Sequence, residues 1–201
     1  MNIVVADDHQ LFREGLRLIL SIDPQWQVVT EVDNANDLIT AVQTHTPDLV
    51  MLDYHMPGGG ALSALSYIKQ RYPKMLVICL TGVNSAVLFR QLLICGANAV
   101  LLKEISAEDL LSAIRKVANG QQVLSDKVKQ VLDNDIEKLT SREFQIMDLV
   151  VAGLTTSEIS ERLNLSSRTI ENHRYSMMKK LDLKNTAELI QFAIQNGLLN
   201  S

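Results

Sequence analysis

Residues 48–60 read Asp48-Leu49-Val50-Met51-Leu52-Asp53-Tyr54-His55-Met56-Pro57-Gly58-Gly59-Gly60. Four apolar residues in a row run into an acid, and the proline and three glycines that follow continue neither a strand nor a helix. A short apolar run closed by turn residues fits a parallel strand buried on both faces, ending here at Asp53. Open α/β sheets bind ligands just outside the carboxyl ends of their strands, so a carboxylate in that place faces a site and not the core. The plainer reading is a surface Asp that opens a turn. The rest of the chain decides between the two.

The 201 residues are 47% hydrophobic and 21% charged, a globular balance in a chain long enough to predict two domains. Met1 leads directly into the strand-like Asn2-Ile3-Val4-Val5-Ala6, and no apolar run reaches the ~18 residues of a membrane span. The expected location is therefore the cytoplasm, with no membrane partner. Cys79 and Cys95 form no CxxC pair and read as buried reduced thiols in preference to a redox or metal site.

Strand-like runs fall at 2–6, 26–32, 48–53, 75–80 and 98–102, separated by helical patterns such as Phe12, Leu16, Ile19, Leu20 and Leu110, Leu111, Ile114, Val117, Ala118. Five β-α units predict an α/β fold, a doubly wound five-stranded parallel sheet over residues 1–120. Asp8 is expected to cap the first helix and Ser106 the fifth, which Asn119-Gly120 ends. Residues 121–138 turn polar and read as a linker with room for one short helix around 125–132. Residues 139–201 then carry four short helical patterns and no strand. Thr140-x-x-Glu143 and Thr155-x-x-Glu158 have capping-box form and start helices at 141 and 156. A third helix runs from Ser166-Ser167 to Leu181, and a fourth spans 186–196 after Asn185.

Asp7 and Asp8 end the first strand, Asp53 the third, Thr81 the fourth and Lys103 the fifth. Singly they read as a cap, a strand-end hydroxyl and a solvated lysine. In a sheet of order 2-1-3-4-5 they converge on one cleft at the switch point. Carboxylates ~4 Å apart repel by ~4 kcal/mol per pair at an effective dielectric near ~20, so the cluster predicts a divalent cation. Oxygen ligands with room for water and phosphate suit Mg²⁺, and the nearby His9 and His55 are too few nitrogens for a zinc centre. Asp8, Asp53 and the backbone carbonyl of His55 are the expected ligands, with Asp7 holding a water. An Asp carboxylate accepts a phosphoryl group, and transfer is catalysed by positioning and by neutralising phosphate charge. Asp53 is thus the candidate phosphoacceptor, Lys103 and the cation the neutralising charges, and Thr81 a hydroxyl for a phosphate oxygen.

These motifs resemble those of the two-component response regulators. Asp7-Asp8, Asp53 with Met56-Pro57-Gly58, Thr81-Gly82 and Leu101-Leu102-Lys103 are similar to a flavodoxin-like receiver domain. Leu139-Thr140-Ser141-Arg142-Glu143, Gly153-Leu154-Thr155, Glu158-Ile159 and Thr169-Ile170-Glu171-Asn172-His173-Arg174 are similar to the LuxR-type helix-turn-helix of the NarL/FixJ branch. The resemblance spans nearly the whole chain. It implies a phosphorylation-switched transcription factor whose partners are a sensor histidine kinase, double-stranded DNA and a second copy of itself, with RNA polymerase a further candidate. It also implies no enzymatic activity beyond the receiver's own phosphorylation and dephosphorylation. Two positions depart from the family pattern. Val100 stands where an aromatic switch residue is usual, three positions before the lysine, and Glu104 stands where many receivers have proline. A cis bond before Glu104 would cost about 2.5–4 kcal/mol, so trans is expected.

At about 100° per residue, Ile170, His173, Met177 and Leu181 share the inner face of the third C-terminal helix. Arg168, Asn172, Tyr175 and Lys179 share the other, with Thr169 and Glu171 beside them, a set suited to a major groove. Charge argues the other way. Residues 137–201 hold eight basic residues (Lys138, Arg142, Arg162, Arg168, Arg174, Lys179, Lys180, Lys184) and eight acidic ones (Glu137, Glu143, Asp148, Glu158, Glu161, Glu171, Asp182, Glu188), a weak electrostatic footprint for DNA. A C-terminal domain acting through protein-protein contacts is the alternative. A phosphatase of the haloacid-dehalogenase type would need an Asp two residues after Asp53, where His55 stands. Exposed Arg13, Arg17, Arg115 and Lys116 on the first and fifth helices, and the stripe Ala187, Ile190, Ala193, Ile194 on the last, are the expected dimer surfaces.

Overall fold

The computed structural model describes residues 1–57, 60–134 and 139–195. Its strands are β1 (Asn2–Ala6), β2 (Gln27–Val32), β3 (Leu49–Asp53), β4 (Leu76–Thr81), β5 (Ala99–Leu102) and β6 (Val123–Leu124), alternating with α1 (Gln10–Leu20), α2 (Ala35–His45), α3 (Ala61–Arg71), α4 (Ala86–Ile94) and α5 (Ala107–Ala118). The sheet order is β2-β1-β3-β4-β5-β6, all pairs parallel. Every residue of β3 is buried. Leu49, Val50, Met51 and Leu52, each worth roughly 1.5–3 kcal/mol when removed from water, make this central strand the anchor of the domain. The inward stripes of α1 and α5, Leu16 and Leu20 with Leu110, Ala113, Ile114 and Val117, close one face of the sheet.

Ser106 caps α5, its Oγ accepting from the Asp109 amide at 3.1 Å. Asp8 does not cap α1: His9 holds that place without a side-chain bond to the helix. The sheet has six strands where five were predicted. Val123 and Leu124, too short a pair to show a period, take the open edge of β5, with the Val123 amide donating to the Asn98 carbonyl at 3.0 Å. A strand edge carries unmade backbone bonds, and two added residues satisfy part of them. The segment read as a linker therefore holds a strand and a helix, α6 (Asp126–Asn134). Residues 135–138 lie outside the described residues. Among the described residues no peptide bond is cis, that before Glu104 included. Cys79 is buried in β4 and Cys95, just past α4, is half-buried; both are free thiols.

By contact the chain divides into two units. The first joins Met1–Gly82 to Leu92–Gln130; the second joins Val83–Gln91 to the described residues among 131–195. The second unit contains α7 (Ser141–Val151), α8 (Thr156–Leu163), α9 (Ser167–Lys180) and α10 (Thr186–Gln195). Both capping boxes are formed, Thr140 with Glu143 and Thr155 with Glu158. The turn between α8 and α9 passes through Asn164 at φ 53°, and the Leu165 amide reaches back to the Ser160 carbonyl at 3.0 Å. Asn tolerates this left-handed cap better than most residues with a side chain. Ser166 then caps α9, accepting from the Thr169 amide.

The core of this unit is Phe144, Ile146, Met147, Ile159, Ile170, Met177, Leu189 and Ala193. Ala193 therefore faces inward with Leu189, and the apolar stripe expected on α10 is split: Ala187 and Ile194 are exposed and Ala193 is not. The stripe was read from apolar character alone, which does not tell the inner face of a short helix from its outer one. Glu143, only 3% exposed, is the hub. Its carboxylate accepts from Ser176 Oγ at 2.6 Å and Lys180 Nζ at 2.7 Å on α9, and from Thr140 at the start of α7. Burial alone would raise its pKa, but Lys180, Ser176 and Thr140 outweigh it and hold the carboxyl at about 2.

A depressed carboxylate contributes stability that is present above its unfolded pKa, near 4.5, and is lost as pH falls towards about 2. Protection factors across α7 and α9, taken relative to intrinsic exchange at each pH, are therefore expected to fall between those limits in the native chain. Glu143→Gln should exchange faster at pH 7 and show a weaker acid dependence. Equal protection of both proteins at pH 7 would contradict this role for Glu143.

Candidate functional site

The carboxyl ends of β1, β3 and β5 bring together Asp7, Asp53 and Lys103. Asp7 and Asp53 are each 1% exposed. Lys103 Nζ lies 2.7 Å from Asp7 Oδ2 and 2.8 Å from Asp53 Oδ2. One ammonium thus bridges two buried acids, and the lysine is mostly buried instead of solvated. Burial lowers the Lys103 pKa, and hydrogen bonds to Asp53 and Asp7 more than reverse it, so the net direction is upward. Thr81 is buried at the end of β4, and its carbonyl accepts from the Lys103 amide at 2.9 Å, which fixes the start of the lysine's turn. The His55 amide donates to Asp53 Oδ1 at 3.2 Å. Asp8 is the exposed member of the acidic set.

Asp7, Asp8, His9 and Asp53 each present one ligand atom, all within 4.8 Å of one another. Three carboxylates and room for an imidazole suit a divalent cation, and the oxygen majority favours a hard one. His9 is closer in than sequence reasoning placed it, with Nδ1 2.7 Å from Asp8 Oδ1 and 3.3 Å from Asp7 Oδ1. Phe12, read only as a core position of α1, lies under Lys103, whose Nζ is 4.8 Å from the ring centroid. An ammonium over an aromatic face is attracted to it, so α1 contributes to the site as well as to the core. Its position one turn after Asp8 was the available sign. Val100, at the usual aromatic position, is fully buried in β5 and pairs with Leu124 of β6.

In the second unit α9 exposes Arg168, Glu171, Asn172, Tyr175 and Lys179, with Tyr175 73% exposed. Ile170 and Met177 are buried beneath, and His173 and Leu181 are half-buried. Thr169 is half-buried and its hydroxyl pairs with Ser166 at 2.8 Å, so it serves the helix cap. Arg174 lies off the exposed row. It donates to Thr156 Oγ1 at 3.2 Å on α8 and to Thr186 Oγ1 at 2.9 Å on α10, fastening three helices.

Residues 3–115 match the response regulator receiver domain, and residues 137–193 match the luxR family of bacterial regulatory proteins. The chain belongs to the response regulators. Over its full length this regulator is 35% identical to response regulator UvrY of Escherichia coli (strain K12), covering 97% of that protein. It is 31% identical to the oxygen regulatory protein NreC of Staphylococcus haemolyticus, with both chains fully covered. Among solved structures, RcsB from Salmonella enterica serovar Typhimurium, bound to promoter rprA in the presence of phosphomimetic BeF3⁻, superposes with a TM-score of 0.79 at 26% identity, covering 96% of this chain and 97% of that one. Two RcsB dimers bound to two parallel DNAs give a TM-score of 0.68 at 27% identity over 96% of this chain and 98% of that one. The regulator is accordingly a receiver joined to a LuxR-type helix-turn-helix, a DNA-binding transcriptional regulator, the reading these relatives support over a domain acting through protein-protein contacts. No helix among its described residues is long and apolar enough to cross a membrane.

Burial raises the Asp53 carboxyl from 3.8 to about 6, against the opposing hydrogen bond from Lys103 and with a further push from Asp7. A raised carboxyl contributes stability that is complete below the unfolded pKa and lost as pH rises through the folded one. Asp53→Asn, which mimics the protonated acid, is expected to stabilise the chelator-treated protein at pH 7.5 by about 2–3 kcal/mol. The gap should close near pH 4. Paired melting curves across pH check it, and a pH-independent difference would show that the Asp53 charge is not the cause.

Proposed function

We propose that Asp53 is the phosphoacceptor of this regulator, that Mg²⁺ is its cofactor, and that the phosphorylated chain binds double-stranded DNA through α9 as a homodimer. The observation that carries the first part is the Lys103 ammonium bridging Asp7 and Asp53 at the mouth of the sheet. The Asp53 carboxylate oxygen forms the bond to phosphorus as the bond to the donor, a sensor histidine kinase, breaks. Lys103 exchanges its Asp53 oxygen for a phosphoryl oxygen, and Thr81 donates its hydroxyl to another. Asp8, Asp53 and the His55 carbonyl would hold the cation, with Asp7 positioning a water, and the cation would supply charge neutralisation. The chain carries out no other chemistry in this reading and works in the cytoplasm, where RNA polymerase is a candidate partner.

Arg168, Asn172, Tyr175 and Lys179 form the groove-facing row, with Glu171 at its flank. Thr169, expected there, is given to the cap. DNA-bound RcsB dimers among the structural neighbours support both DNA and a two-fold assembly.

Incubation with a small-molecule phosphodonor and Mg²⁺ is expected to give an acid-labile, hydroxylamine-sensitive label on the wild type and none on Asp53→Asn. Lys103→Ala should keep part of the label and lose phosphorylation-dependent dimerisation. Label retained on Asp53→Asn would refute the acceptor assignment.

In this reading Glu171, at the flank of the row, repels phosphate. Glu171→Lys is expected to tighten binding to all DNA sequences alike and to steepen the slope of log K against log salt by about one to two per subunit. An unchanged slope with one altered base preference would show instead that Glu171 reads a base, a choice worth about 1–3 kcal/mol of discrimination.

A further inference from the structure

The turn that carries Asp7, Asp8 and His9 is held from α1 by a residue outside the acidic cluster. Arg13 Nη1 donates to the backbone carbonyl of Asp7 at 2.5 Å. The Asp7 amide donates to the Val32 carbonyl of β2 at 3.1 Å, and Asp7 Oδ1 accepts from the His9 amide at 2.9 Å. Both peptide groups of Asp7 and one carboxylate oxygen are therefore fixed. Lys103 Nζ and His9 Nδ1 approach the Asp7 carboxylate, and among the hydrogen bonds of the described residues Arg13 is the side chain that holds the Asp7 backbone. That side chain is 17% exposed, so Arg13 is not the solvated dimer-surface residue expected from its place on α1.

Glu31 on β2 backs the guanidinium, with Oε2 3.8 Å from Arg13 Nε, and its other oxygen lies 3.6 Å from Arg17 Nη1. Arg17 is 59% exposed and has no contact with the Asp7 peptide among the hydrogen bonds of the described residues. A fixed positive charge one helical turn from a cation site is unfavourable by Coulomb's law alone. Its placement needs a geometric reason, and the Asp7 carbonyl supplies one. Groups behind a metal ligand orient that ligand and set affinity without touching the ion.

We infer that Arg13 is a positioning residue for the divalent-cation site: its bond to the Asp7 carbonyl holds the β1–α1 turn so that the Asp7 and Asp8 carboxylates face the ion, with Glu31 setting the guanidinium. This rests on the reading of the acidic cluster as the cation site. Geometry and charge predict opposite signs. If only charge mattered, removing Arg13 would tighten cation binding; if position matters, it loosens it.

The test is Mg²⁺ titration of the full-length protein by calorimetry, with melting temperature measured alongside. Wild type against Asp53→Asn first establishes the site: if Asp53→Asn binds Mg²⁺ as well as wild type, the cluster is not the cation site and the functional reading fails. Given that control, Arg13→Gln is expected to weaken Mg²⁺ about 10-fold, the lower end of what such supporting groups contribute. Arg13→Lys, which keeps the charge on a stem without the fork, should fall between the two. Arg17→Gln should stay within about 2-fold of wild type. Arg13→Gln binding Mg²⁺ as tightly as wild type, or more tightly, overturns the inference. Should Arg13→Gln fail to fold, Arg13→Lys decides: weaker Mg²⁺ binding at equal charge supports positioning, and unchanged binding overturns it.

Discussion

Two acids buried at the ends of adjacent parallel strands would push those strands apart if nothing stood between them. Lys103 stands there, at 2.7 and 2.8 Å from Asp7 and Asp53. Taking three charges out of water costs several kcal/mol per ion, and only close pairing returns it. The arrangement therefore demands that β1, β3 and β5 end at matched heights, which the parallel registers of the sheet provide. It also leaves a net negative site after pairing, since one ammonium faces two buried carboxylates with Asp8 at the rim. That residual charge suits a dication, and the Asp7 carboxylate adds to the burial that raises the Asp53 carboxyl to about 6.

The strands and caps were legible because each has a strong local signal. Apolar runs closed by acids or turn residues marked β1, β3 and β4, and two Thr-x-x-Glu patterns placed α7 and α8 to the residue. The convergence of Asp7, Asp53, Thr81 and Lys103 followed from topology, since strand ends at a switch point meet whatever lies between them in sequence. What was not legible depends on contacts between elements. Val123-Leu124 has no pattern of its own and is a strand only because β5 offers an edge. Arg13 looks like any helix arginine until β2 brings Glu31 to it. Asp8 lost the cap because His9, one residue on, is the last residue before the helix. Ala193 was placed outward because a four-residue stripe on a ten-residue helix does not show which side the neighbours take.

The even charge count of residues 137–201 overstates how neutral the exposed face of α9 is. Glu143, Glu158 and Glu188 are all engaged at helix starts, where they accept backbone hydrogen bonds. Carboxylates in that place answer the positive end of a helix. On the basic side Arg174 and Lys180 fasten helices to one another. Arg168 and Lys179 keep their exposure, so counting charge by sequence mixes groups that hold the domain together with groups that remain available to a phosphate backbone. The same division explains why a helix with a polar face and modest apolar content is stable: its inner contacts are hydrogen-bonded and ionic as much as apolar.

Cys79 lies opposite Leu52 in the β3–β4 pair, next to the strand residue that faces Asp53. Burial pushes its thiol far above the usual range, and Cys95 is raised less. Only a thiolate reacts quickly with a disulfide or maleimide. Cys79 is thus a clock that runs only when the middle of the sheet opens, and Cys95 one that runs on local fluctuation near the end of α4. Together they turn the chain into its own opening gauge, in which the ratio of two labelling rates separates breathing of the sheet from loosening at its margin without a foreign probe being attached.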